Sequence, residues 1–144
     1  MNDNLFTARG LCKKYGDFTA LAPTDMAIQS GDIYGLAGNN GAGKTTLLKL
    51  ISGQTEPSSG SLSLFGKDTA KELDISRHNI GCMIETPGFF PDLTAVQNLE
   101  YYRIQRGITG RQYLKDALAL VHLDDCGKKK FKDFSLGMKQ RLGL

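Results

Sequence analysis

The sequence has little of what disulfide scaffolds and metal centres are built from. It holds three cysteines, Cys12, Cys82 and Cys126, and two histidines, His78 and His122, in 144 residues. An odd, widely spaced cysteine set without metal-ligand spacing excludes a disulfide framework and points to a reducing compartment. Cys82 lies inside an apolar run and is expected to be a small buried hydrophobe. Both histidines read as satisfied surface residues, His78 in a helix-to-strand loop and His122 at a helix end. No apolar run approaches the length of a membrane span. Met1-Asn2-Asp3-Asn4 lacks the basic region and apolar stretch of a signal peptide. Charge is nearly balanced, and a net charge of +3 is too small to argue for nucleic acid. The run Lys128-Lys129-Lys130 with Lys132 reads as a solvated loop. There are no internal repeats and no low-complexity linker. What remains is one domain's worth of chain, 40% hydrophobic and 23% charged, long enough to bury a core.

The most informative stretch is Gly38-Asn39-Asn40-Gly41-Ala42-Gly43-Lys44-Thr45-Thr46. It fits the phosphate-binding pattern G-x-x-x-x-G-K-[ST] without a gap. Glycines let consecutive backbone N–H groups curl around phosphate oxygens where a Cβ would obstruct them. Lys44 would reach the β- and γ-phosphates, and the Thr45 hydroxyl would take one Mg²⁺ position. The positive end of the helix beginning near Lys44 adds attraction for anions. The flanks suit the motif. Ile33-Tyr34-Gly35-Leu36-Ala37 is predicted to be a buried strand of a parallel sheet. Leu47, Leu48, Leu50 and Ile51 give a helix with a broad apolar face, closed by Gly53.

Elsewhere, strands are expected over Leu5 to Leu11, Leu21 to Ile28 and Ser61 to Phe65, with a turn-like link at residues 13–17. A short helix is expected over residues 69–77, and a second buried strand over Ile80 to Ile84. The composition then becomes helical. Thr94 is placed to cap a helix whose face carries Ala95, Leu99 and Tyr102. After a break at residues 107–110, Leu114, Ala117, Leu118 and Val121 repeat the pattern. Ser135 would cap a last helix still running at Leu144, which reads as an interrupted chain rather than a natural terminus.

With Tyr15, the phosphate loop, Glu85 and Phe134-Ser135-Leu136-Gly137-Met138-Lys139-Gln140-Arg141 in hand, the chain resembles the ATP-binding subunit of ABC transporters. The resemblance covers essentially the whole length. Ile84 to Phe90 with Asn98 to Tyr102 looks most like the branch that exports bacitracin- and lantibiotic-type peptides. The resemblance implies an α/β fold: a P-loop NTPase core with an antiparallel β subdomain and a helical insert, cut after the start of the signature helix. As domains, it implies a strand-rich core to about residue 86, a helical subdomain over about 87–134 and the start of the signature helix at 135–144.

The resemblance also implies site roles. Tyr15 matches the aromatic that stacks on adenine. Glu85 stands where a glutamine usually joins the Mg²⁺ site; a carboxylate ligates Mg²⁺ but cannot donate a hydrogen bond while ionised. Ser135, Leu136 and Gly137 occupy the signature region that touches ATP held by the opposite subunit of a head-to-tail dimer. Leu136 replaces a glycine there and Met138 a glutamine. The family's strand ending in Asp-Glu is not found before Leu144, and Asp124-Asp125, between a helix and a loop, does not replace it. No catalytic base is therefore expected within these residues.

The implied function is an Mg-ATP-binding subunit at the cytoplasmic face of a membrane, powering export through a transmembrane permease, with Phe89 and Phe90 available to that partner. Three alternatives stay open. One is a nucleotide-holding fragment without turnover. Another is a soluble ABC-type ATPase working on ribosomes or DNA. The last is a different phosphate-loop enzyme, disfavoured by the absence of a guanine-reading Asn-Lys-x-Asp.

Overall fold

A computed structural model describes residues 4–84 and 88–144. The chain divides into two compact units, Met1–Ile84 and Glu85–Leu144.

The first unit is built on strands β1 (Asn4–Tyr15), β2 (Phe18–Gln29) and β3 (Ser59–Leu64) with helices α1 (Lys44–Ile51) and α2 (Ala70–Arg77). The strands form one antiparallel sheet in the order β2-β1-β3. β1 and β2 run longer than their apolar cores suggested, because only Gly16 and Asp17 are needed to turn the chain. Tyr15 then pairs directly with Phe18. Alternation puts Phe6 and Ala8 on one face opposite Leu64 and Leu62 of β3. A bulge after Ala8 resets the register, and Leu11 returns to the same core. The Asp25 carboxylate accepts the Gly10 N–H at this bulge, 2.6 Å away. Gly60 crosses β1 so closely that a Cβ there would overlap the Gly10 carbonyl, so β3 can dock only with glycine at that point.

Leu47 and Leu50 of α1 and Leu73 of α2 complete this core. Each fully buried leucine contributes about 1.5–3 kcal/mol by the area it removes from water. Leu48, expected on the same face, is exposed.

Two expected strands do not form. Residues 33–37 and 80–84 lie outside any ladder, Ile33 is fully exposed, and Tyr34, Leu36 and Met83 are also exposed. A strand of this kind is a shared structure, since its N–H and C=O groups need a hydrogen-bonded neighbour. Among the described residues these two runs have none. Cys82 consequently lies at the surface rather than in a core.

The second unit holds α3 (Ala95–Gln105), α4 (Gln112–Leu120), α5 (Leu136–Leu142) and two short 3₁₀ turns, Asp124–Cys126 and Phe131–Asp133. Thr94 caps α3 in a full capping box: its hydroxyl accepts the Gln97 N–H, and Gln97 Oε1 accepts the Thr94 N–H at 2.8 Å. Ala95, Leu118, Leu123, Phe131, Phe134 and Leu142 form the core. Ala117 falls on the exposed side of α4. Phe89 is partly buried, packing against this core edge-on to Tyr102 and Phe131, and Phe90 stays exposed against Tyr101. α5 spans Leu136–Leu142, with Gly143, still in the helical region, as its C-cap.

Asn98 is the fully buried polar side chain at the centre of this unit. Its Oδ1 accepts the Phe90 N–H at 2.8 Å, and its Nδ2 donates to the carbonyls of Phe90, Leu93 and Thr94. One side chain thus fixes residues 90–94 to α3.

Candidate nucleotide site

The loop before α1 is shaped by Gly41 and Gly43, both at positive φ (84° and 88°). Gly43 is the more constrained. A Cβ there would lie 2.7 Å from the Ala20 carbonyl oxygen and 2.9 Å from Leu21 Cδ1, so the loop presses directly on β2. Gly43 also caps α1 with no side-chain hydrogen bond. The first-turn N–H groups of Lys44, Thr45 and Thr46 are therefore left without a side-chain acceptor, as an anion cradle requires. The Lys44 ammonium folds back onto the loop and donates to the carbonyls of Gly38 (2.6 Å) and Asn39 (2.7 Å). The Ala42 N–H donates to the Asn39 carbonyl at 3.1 Å and tightens the same turn.

A depression of about 250 Å³ opens over this loop, lined by Asn40, Gly41, Gly43, Lys44, Thr45 and Thr46 together with Phe18 and Ala20 of β2. It gathers N–H donors, an ammonium and two hydroxyls, and among the described residues no carboxylate lines it. That donor set suits an anion. Gly38, Asn39 and Ala42 form the rest of the turn without lining the depression. Tyr15 stands half-exposed at the end of β1, outside the lining, with the Lys13 ammonium 5.0 Å from its ring centroid. Sequence reasoning missed Phe18 and Ala20. The only signal was their nearness to the Gly16-Asp17 turn.

Among the described residues no cluster of three His, Cys, Asp or Glu side chains is arranged to hold a metal. Glu85, expected at the Mg²⁺ site, lies outside the described residues. Thr45 supplies one hydroxyl. A hydroxyl oxygen is of the type Mg²⁺ accepts, in a shell otherwise completed by phosphate, water or a further carboxylate.

The signature residues sit in the second unit. Ser135 caps α5 by accepting the Met138 N–H at 3.3 Å, a long bond that leaves its own O–H free to donate. Leu136 is exposed, and the space beside Gly137 is open. The second unit also carries a larger hollow, about 640 Å³, along Val96, Leu118, Ala119 and Gly127, with Lys115, Asp116, Asp124, Asp125 and Lys128 also lining it. It has no backbone cradle, and size alone does not make it the chemical site.

The ABC transporter family profile matches residues 21–144. The chain belongs to the ABC transporter family. Among curated relatives of this ABC chain, the bacitracin transport ATP-binding protein BcrA of Enterococcus faecalis is 40% identical over 134 residues, covering 93% of the chain and 44% of the relative. The lantibiotic transport ATP-binding protein SrtF of Streptococcus pyogenes is 37% identical over 136 residues, covering 94% of the chain and 58% of the relative. The chain thus spans about half the length of the curated relatives it matches. A solved structure of the ATP-binding subunit of an ABC transporter superposes with a TM-score of 0.78 at 27% identity, covering 96% of this chain and 59% of that one. The fold class is accordingly that of the P-loop NTPase core of ABC ATP-binding subunits, with its antiparallel sheet and helices.

Proposed function

We propose that this chain holds Mg-ATP in its phosphate loop as part of an ABC-type ATP-binding subunit, and that the intact protein uses the ATP to export a peptide antibiotic through a membrane partner. The depression over the start of α1, where Gly43 supplies no side-chain cap and Lys44 and two hydroxyls stand in the wall, carries this reading. Lys44 would exchange its two loop carbonyls for β- and γ-phosphate oxygens, and the first-turn N–H groups of α1 would take further oxygens. Gly38, Asn39, Asn40, Gly41, Ala42 and Gly43 shape the cradle, and Thr46 closes it beside Thr45. A bound Mg²⁺ would neutralise phosphate charge from Thr45, with Glu85 as a second ligand.

The strand-rich residues to about 86, the helical residues 87–134 and the signature start at 135–144 are read as the parts of one nucleotide-binding domain. Ser135 and Gly137, with Leu136 between them, are assigned to ATP held by a second subunit in a head-to-tail dimer. ATP would close such a dimer and hydrolysis would reopen it. Hydrolysis needs a base on the attacking water, and we assign turnover to the intact protein, reading residues 1–144 as a nucleotide-holding part without turnover of its own. The names of the bacitracin and lantibiotic transport relatives support the substrate class, and membership of the ABC transporter family supports a place at the cytoplasmic face, beside a transmembrane permease. The exposed pair Phe90 and Tyr101 is suited to that contact.

Titration with Mg-ATP tests the reading. Lys44→Ala should weaken binding by roughly 10- to 100-fold, the worth of a charge-assisted phosphate contact. Equal affinity in both proteins, at an unchanged melting temperature, would contradict it.

A further inference from the structure

Where α3 turns into α4, the second unit holds large apolar side chains out in solvent. Ile104, in the last turn of α3, is 63% exposed, and Tyr113, in the first turn of α4, is 53% exposed. Ile108, in the link between the helices, is exposed as well. That link is held firmly. The Ile108 N–H donates to the Arg103 carbonyl at 3.0 Å, and the Arg103 guanidinium donates to the Ile108 carbonyl. The Glu100 carboxylate takes Arg103 at 2.8 Å and Arg111 at 3.3 Å. Ile108 is thus presented by a bonded backbone. Exposed apolar residues gathered at one place mark an interaction surface.

Charge gathers at the same tip. Residues 101–115 contain Arg103, Arg106, Arg111 and Lys115 and no aspartate or glutamate. Arg106, Arg111 and Lys115 are exposed. Glu100 and Asp116 bound the segment, and Glu100 is already engaged by Arg103 and Arg111. The lysine run at 128–130 differs on both counts. Asp124, Asp125 and Asp133 flank it, and the nearby Phe131 and Phe134 are buried. Apolar side chains interleaved with long cations suit a lipid surface, where isoleucine and tyrosine enter the headgroup boundary and arginines reach the phosphates. A fluid surface accepts projecting side chains without a matching recess, which a folded acidic protein would have to supply. Tyr101, three residues before Ile104 and on the same side of α3, belongs to the pair assigned above to a membrane partner, so the two surfaces adjoin.

We propose that Ile104, Ile108 and Tyr113, with Arg106, Arg111 and Lys115, dock directly on an anionic lipid surface. This goes beyond the nucleotide reading, and only the adjacency of Tyr101 draws on it.

The test is co-sedimentation of the whole chain, without nucleotide, with vesicles of phosphatidylcholine alone or mixed with phosphatidylglycerol. The protein should bind the mixed vesicles far more tightly, and rising salt should release it. Ile104→Ser with Ile108→Ser should weaken that binding roughly tenfold through lost apolar burial. Arg106→Gln should weaken it about fivefold, the worth of one cation near such a surface. These side chains are exposed, so the melting temperature should hold. Lys129→Ala should bind like wild type. Equal binding to both vesicle types, or tip variants that bind like wild type, would overturn the proposal. So would no binding to either, which would leave the tip to an acidic protein partner. If Lys44→Ala abolishes binding, the lipid phosphate sits on the glycine loop and the proposal is overturned.

Discussion

At the residue scale, the side chains that matter most are those whose polar atoms have nowhere else to go. Asn98 is buried and uses both ends of its amide on the backbone of residues 90–94. Asn98→Leu would keep the volume but strand the Phe90 N–H and several carbonyls away from water. Leaving such groups unpaired costs roughly 1–3 kcal/mol each. The variant should therefore lose about 3 kcal/mol, read as a lower urea midpoint, and an unchanged midpoint would contradict the role given to Asn98. Its importance was not legible in the sequence: spacing puts an asparagine three residues beyond Ala95 on the apolar face of the helix, but does not say that its amide bonds the backbone of residues 90–94. The glycines and Lys44 were legible, because a phosphate cradle demands those residue types in that order. Phe18 was not. An aromatic beside a turn says nothing until the loop is seen next to it.

At the element scale, helices announce their own starts. Thr94 and Ser135 both cap where local chemistry places them, because a cap needs only a hydroxyl and the next turn. The buried strands over 33–37 and 80–84 failed for the opposite reason. Apolarity can be read from one segment, but a ladder depends on a neighbouring strand that the segment does not encode. The end of α3 is tied down electrostatically. Arg103 bonds the Glu100 carboxylate at 2.8 Å and also donates to the Ile108 carbonyl, and Arg111 approaches Glu100 at 3.3 Å. The Arg103 hydrogen bond, with the charges of Arg103 and Arg111, holds the Glu100 carboxyl below its ordinary value against the opposing effect of burial. A lowered carboxyl pKa stabilises the fold above the unfolded value of about 4.3 and loses that effect as pH falls through the folded value. Glu100→Gln should thus be less stable than wild type at pH 7, and the gap should close below about pH 4. Urea melts at both pH values check this, and a gap that persists in acid would contradict it.

At the scale of the whole molecule, two units are described, one carrying the glycine loop before α1 and one carrying Ser135 to Gly137. The order of motifs along the chain made the family legible, because phosphate loop, helical segment and Ser-x-Gly helix start recur in one sequence order. The match over residues 21–144 agrees with that order. The central claim is that ATP sits on the loop from Gly38 to Thr46. Backbone hydrogen exchange with and without Mg-ATP tests it most directly. The account predicts that nucleotide slows exchange across residues 38–46 and at Phe18 to Ala20, and that Lys44→Ala removes the effect. Protection that instead falls around Leu118 and Gly127, or no protection at the loop, would contradict it.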